Sequence, residues 1–105
     1  MNAPFDPSAI AIVGIYAALC AFILTWLGNS TGSLRRKNRI AVGDGGNKHL
    51  IRIMRGHANA VENMPITLVL LVIAALVGTP LFVLHILGIL FVIGRILHAW
   101  HFIQE

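Results

Sequence analysis

Apolar positions along this chain gather into three blocks, separated by one basic polar stretch and one tight turn. The first block, Ser8 to Leu27, has the ~20 residues a helix needs to cross a ~30 Å hydrocarbon layer. Pro7 and Ser8 suit its start and Gly28-Asn29-Ser30-Thr31-Gly32 suits its end, so a span over 8–27 is predicted. Residues 33–48 read as a polar loop, with Gly43-Asp44-Gly45-Gly46 as its turn signal. Asn47 is a suitable N-cap for a second helix over 47–77. That helix is amphipathic in its first half and apolar all round in its second, with Pro65 at the junction. At 1.5 Å per residue it measures ~46 Å, longer than the hydrocarbon core, so its first half protrudes or is buried among neighbouring helices. Gly78-Thr79-Pro80 turns the chain into a third span over 81–101. The prediction is a single all-α integral membrane domain over 1–105, an antiparallel transmembrane bundle.

Composition supports this reading. The 105 residues are 57% hydrophobic and 11% charged, with a mean hydropathy of +0.82. A soluble domain of this size cannot hide that much apolar surface. Eight Lys/Arg oppose four Asp/Glu, and five of the eight lie between Arg35 and Lys48. That clustering argues against a nucleic-acid face and for a cytoplasmic loop beside anionic lipid. It places the N-terminus and the Gly78 turn outside. The leader carries no basic residue and no clean cleavage site follows the first block, so the block reads as a retained span rather than a signal peptide. The single cysteine, Cys20, excludes an intramolecular disulfide and reads as a buried, inert thiol.

The stretch Arg52-Ile-Met-Arg55-Gly-His57-Ala-Asn59-Ala-Val-Glu62-Asn63-Met-Pro65 carries the candidate chemistry. Residues 52, 55, 59 and 62 are spaced three, four and three apart and share one helical stripe. Ionisable groups in a membrane segment are costly and mark function by default. On the third helix Arg95, His98, Phe102 and Gly88 share a face, and the predicted topology brings that face to the depth of the stripe. Paired guanidinium donors take carboxylates, Glu62 takes an ammonium or braces an arginine, and Asn59 donates and accepts. Arg35 and Arg36 stand at the edge of the same level. A small zwitterion with several carboxylates and an amine matches the set, and glutathione has that chemistry plus a thiol whose ionisation a guanidinium favours. The competing reading is structural: Glu62 pairs with arginines and the stripe glues subunits of a non-catalytic assembly protein.

Other polar residues read more plainly. His57 lies about 140° round the helix from Arg52 and leaves the stripe. His85 reads as a hydrogen-bonded histidine of the bundle, Tyr16 as a packing residue, and Trp100 and His101 as interface anchors. His98 and His101 are three apart, a spacing that can bind metal, but no third ligand is evident beside them, and His85 has no Cys, Asp or Glu at ligand spacing. The third helix lacks the broken, Gly/Pro-interrupted pattern of a transporter site.

The pattern Arg52-x-x-Arg55-x-His57-x-Asn59-x-x-Glu62-x-x-Pro65, followed by Gly94-Arg95-x-x-His98, resembles the MAPEG family, the membrane-associated proteins in eicosanoid and glutathione metabolism. Arg35-Arg36-Lys37-x-Arg39 and Gly43-Asp-Gly-Gly46 resemble its bacterial branch, and the resemblance covers nearly all of residues 8–102. It implies homotrimers of four-helix subunits in a bacterial inner membrane, with glutathione as co-substrate bound between subunits. The implied activity is glutathione transferase or peroxidase chemistry on lipophilic electrophiles or lipid hydroperoxides. By position, Arg35, Arg55, Asn59, Glu62 and His98 match glutathione-contacting residues, and Arg52 and Arg95 match bracing arginines. Two departures follow. Phe102 stands where a ligand-contacting tyrosine is common, and no residue matches the fourth-helix arginine linked to thiolate activation, so no catalytic residue is assigned.

Overall fold

Asp6 opens the first helix in the computed structural model, which describes residues 6–104. Residues 1–5 and 105 of the expected domain lie outside the described residues. The Asp6 carboxylate accepts the Ser8 N–H at 2.9 Å and Pro7 takes the first helical position, where its missing N–H costs nothing. This helix, α1 (Pro7–Asn38), does not stop at Gly28–Gly32 as predicted. It continues for two more turns and ends at Arg39, whose left-handed backbone (φ 57°) lets its N–H close onto Arg35 and Arg36 carbonyls. Residues 33–38 of the predicted loop are therefore helical, and the actual connection spans only 39–47.

Packing explains the extension. Each glycine lowers helix propensity by only about 1 kcal/mol, which tertiary contacts override. Thr31 returns its hydroxyl to the Leu27 carbonyl at 2.9 Å, keeping its polar group inside the helix. Gly28 faces the His57 ring, and Arg35 crosses to the Gly43 carbonyl and to the Met54 sulfur at 3.6 Å. One face of the extra turns, carrying Arg35, lies against the second helix, while Ser33, Arg36, Lys37 and Asn38 are exposed.

That helix, α2 (Lys48–Leu76), is capped by Asn47, whose Oδ1 accepts the Leu50 N–H at 2.9 Å. It passes through Pro65 without interruption. Gly78 (φ 90°) supplies the left-handed turn after it. α3 (Leu81–Ile103) follows, two residues longer than predicted at its far end. Each helix packs against both others, and the bundle measures 58 × 21 × 15 Å.

Its core is a single seam. α1 contributes Ile12, Val13, Tyr16, Cys20, Ile23 and Leu27; α2 contributes Ile53, Ala60, Met64 and Leu71; α3 contributes Leu84, Val92 and Ala99. Large apolar side chains such as Phe22, Leu70, Leu90 and Leu97 instead face outward. With all three helices long and apolar enough to cross a membrane, this outward surface suits lipid rather than water.

Two glycines set how closely the helices approach. A Cβ on Gly88 would strike the Tyr16 ring, and one on Gly56 would lie 2.5 Å from Phe102 Cβ. Gly88→Ala is expected to destabilise the bundle by about 1–3 kcal/mol, the usual cost of overpacking. Gly14→Ala, whose Cβ meets nothing within 4 Å, is expected to leave stability unchanged or slightly raised. Equilibrium unfolding of the two variants in mixed micelles checks this.

Candidate functional site

Depth along the bundle follows from helix length. At 1.5 Å per residue from the Gly78 turn, a ~30 Å apolar layer reaches roughly residue 56 on α2 and residue 101 on α3. Glu62 and Arg95 thus lie about 9 Å inside that layer, Asn59 a turn closer to the edge, and Arg55 and Arg52 at or just beyond it.

The helical stripe on α2 divides when the bundle forms. Ile53 and Ala60 mark the buried line of α2. Turning at about 100° per residue, Arg52 and Asn59 fall on the flank toward α3, whereas Arg55 and Glu62 point almost directly away from the core. Arg55 and Glu62 are accordingly exposed, with no hydrogen-bond or ion-pair partner among the described residues.

Arg95 organises the inner half. It is buried, and its Nη1 donates to Asn59 Oδ1 at 3.1 Å. Its Nη2 faces His98 Nδ1 at 3.4 Å, and its Nε is buried without a partner. A guanidinium only donates, so Nδ1 of His98 must present its lone pair and the ring proton belongs on Nε2. His98 in turn stacks on Phe102, with ring centroids 4.6 Å apart. No acid faces Arg95 within the described residues, so its charge is met by neutral acceptors alone.

Arg52 does a different job. Its Nη2 donates to the His101 carbonyl at 2.8 Å and meets the His101 ring at 3.0 Å, while its guanidinium lies 5.6 Å from the Phe102 ring centroid. His49 Nε2 donates to the Ile103 carbonyl at 2.8 Å. Together they tie off the carbonyl end of α3, whose last carbonyls have no helical partner.

Arg35 lies on the other side of α2, in a cleft of about 360 Å³ lined by Gly28, Thr31, Gly32, Met54 and His57. Sequence reasoning set His57 aside because it leaves the stripe. The structure places it with Arg35 because residues 28–35, read as helix end and loop, are helix and form the facing wall. No local signal marked this, because what continues the helix is the facing surface of α2. Within one chain, then, the five predicted ligand positions fall into three groups: Arg35 in the α1/α2 groove, Arg55 and Glu62 facing outward, and Asn59 and His98 beside α3.

Remaining polar residues are structural in their contacts. Tyr16 Oη and His85 Nδ1 are 2.7 Å apart, in the pocket opened by Gly88, although the His85 ring itself is exposed. Cys20 is buried and free. Among the described residues no group of three His, Cys, Asp or Glu can hold a metal ion.

These features define a polytopic α-helical membrane protein with a polar, arginine-rich cluster near one end of its spans. A model of the MAPEG family matches residues 13–105, and the chain belongs to that family. It is 36% identical over 91 residues to the inner membrane protein YecN of Escherichia coli strain K12, a match covering 87% of this chain and 70% of that protein. YecN of Escherichia coli O6:H1 strain CFT073 matches to the same extent. No solved structure matches. The family includes glutathione-related membrane proteins.

Asn59→Ala is expected to cost about 1–3 kcal/mol, because it strips a buried guanidinium of an acceptor. His98→Ala should not add independently, since both residues serve Arg95. A double-mutant cycle by equilibrium unfolding should show a coupling above about 0.5 kcal/mol.

Proposed function

We propose that this protein is a glutathione-binding membrane protein that assembles as a homotrimer in a bacterial inner membrane, with its N-terminus outside and the basic connection in the cytoplasm. The observation that carries the reading is the outward pair Arg55 and Glu62, opposite charges with Arg55 at the edge of the apolar layer and Glu62 about 9 Å inside it, without a partner among the described residues. Lipid tails cannot satisfy Glu62 at that depth, and a ligand or a neighbouring chain would supply its partner. The division of the other candidates supports a site between chains. Arg35 and His98 lie on opposite sides of α2, so a small ligand touching both kinds of residue draws them from different subunits.

In such a site Arg55 takes a glutathione carboxylate through paired N–H donors and Glu62 takes the ammonium. Asn59 and His98, held in place by Arg95, contact the peptide from the other wall, and Arg35 adds a second cation. Guanidinium groups near the thiol favour the thiolate, the nucleophilic form. In the transferase reaction the thiolate forms a C–S bond to a lipophilic electrophile arriving from the bilayer, either expelling a leaving group as its anion or adding to an activated double bond whose carbanion then takes a proton from water. In the peroxidase reaction two glutathione molecules are oxidised to the disulfide as a lipid hydroperoxide becomes an alcohol and water.

One observation favours a second reading. Arg52, Asn59, Arg95 and His98 already have partners within the chain. In a non-catalytic assembly protein Glu62 would pair with an arginine of a neighbouring subunit and bind nothing else.

Calorimetry with glutathione in detergent separates the two. Arg55→Ala and Glu62→Ala are each expected to weaken binding by about tenfold or more, as expected for loss of a charge-assisted hydrogen bond. Absence of binding to the parent chain, or unchanged binding in both variants, removes the ligand claim. A Glu62→Gln variant that loses its oligomer on a sizing column without any effect of glutathione would favour the assembly reading.

A further inference from the structure

At the loop end of the bundle, the last turn of α1 and the start of α2 flank an open cleft of about 550 Å³, where Lys37 and Lys48 are exposed. Lys37 and Asn38 line it from α1; Asn47, Lys48, His49 and Arg52 line it from α2. Three permanent cations therefore face one cavity, and no Asp or Glu is among its lining residues. The nearby acid, Asp44, spends a carboxylate oxygen on the Gly46 N–H at 2.8 Å.

Helix polarity makes the arrangement costlier. Lys37 suits the negative pole at the end of α1, but Lys48 occupies the first position of α2, where the helix dipole is positive and cations are disfavoured. No acidic residue offsets it in that turn. The Asn47 side chain takes the Leu50 N–H, and the Asn47 carbonyl takes that of Ile51. The Lys48 and His49 N–H groups are left without an acceptor among the described residues, at the mouth of the same cleft. Arg52 uses Nε and Nη2 on His101, and its Nη1 has no partner among the described residues.

We infer that this cleft binds a phosphate-bearing anion of charge two or more, held by Lys37, Lys48, Arg52 and the free N–H groups that begin α2. A phosphate suits donors converging from two helices better than a planar carboxylate does. Its oxygens point in several directions, lysine serves it as a point charge, and a helix N-terminus accepts it directly. Arg52 lies within the headgroup layer and Lys37 and Lys48 lie beyond it, so the phosphate can come from an anionic lipid headgroup or from a free phosphate ester. The site is separate from the outward Arg55 and Glu62 and does not depend on glutathione binding.

The test uses the full chain in phosphatidylcholine nanodiscs, with inorganic pyrophosphate as probe and calorimetry as readout. A Lys37→Gln/Lys48→Gln variant is expected to weaken pyrophosphate binding by about tenfold or more. An Arg36→Gln/Arg39→Gln variant removes the same charge from the neighbouring face without touching the cleft, and is expected to change binding less than about threefold. A second arm adds phosphatidylglycerol to the nanodiscs. Competition with pyrophosphate that vanishes in the Lys37/Lys48 variant assigns the site to the headgroup, and undiminished pyrophosphate binding assigns it to the free ester. Equal weakening in the two double variants would reduce the effect to diffuse basic charge and overturn the proposal. So would displacement of pyrophosphate by glutathione, or the absence of both pyrophosphate binding and phosphatidylglycerol competition.

Discussion

A guanidinium buried among apolar helices, about 9 Å inside the membrane layer, is the constraint on which the rest of this structure depends. Desolvating Arg95 is expensive, and no carboxylate among the described residues compensates it. Its bond to Asn59 crosses from α3 to α2 and ties the rotation of the two helices together, while His98, one turn further along α3, accepts from the other side. Once Asn59 is turned toward α3, Arg55 and Glu62 fall about 40–60° further round the same stripe, and that offset carries them past the packed flank to face outward. The outward charges are thus a consequence of the inward one. The cluster is half satisfied inside the chain, and the proposed ligand or neighbouring subunit would complete the half at its surface.

The hairpin end and the loop end of the bundle are built on different principles. Toward the Gly78 turn, contact is apolar and close, with Gly88 admitting the Tyr16 ring and Tyr16 meeting His85. Toward the loop, Arg52 and His49 hold the end of α3 by its carbonyls, and Arg35 holds the connection by the Gly43 carbonyl. Long basic side chains at this end do the fastening that close packing does at the other. Removing a cation here therefore loosens a helix terminus as well as altering charge.

Much of this was legible in the residues themselves. The three apolar blocks predict three helices, Asn47 is read correctly as the cap of α2, and Gly78-Thr79-Pro80 is read as the turn. The end of α1 was not legible, because Gly28 to Gly32 has the local composition of a helix stop. What continues the helix is the facing surface of α2, a contact invisible to local propensity. That one boundary hid two features: the cleft joining Arg35 to His57, and the convergence of Lys37 with Lys48. The helical stripe was legible as a periodicity. Its division was not, since periodicity defines a face without saying which side of it the neighbouring helices cover.

The short connection that results has its own physical consequence. Nine residues, 39–47, turn the chain between two helices, with Arg39, Gly43, Gly45 and Gly46 all at positive φ. Glycine relieves the strain at three of these positions; Arg39 bears it and is repaid by the capping bonds that end α1. So tight a reversal forces the negative pole of α1 and the positive pole of α2 side by side. Neutralising α1 requires basic residues in its last turn, and Arg35, Arg36 and Lys37 provide them. The same proximity presses that basic charge toward the exposed N–H groups of α2, which already carry the opposite need. The connection that favours closing the helices thus concentrates positive potential at one point, and an anion lodged there would relieve both helix ends at once.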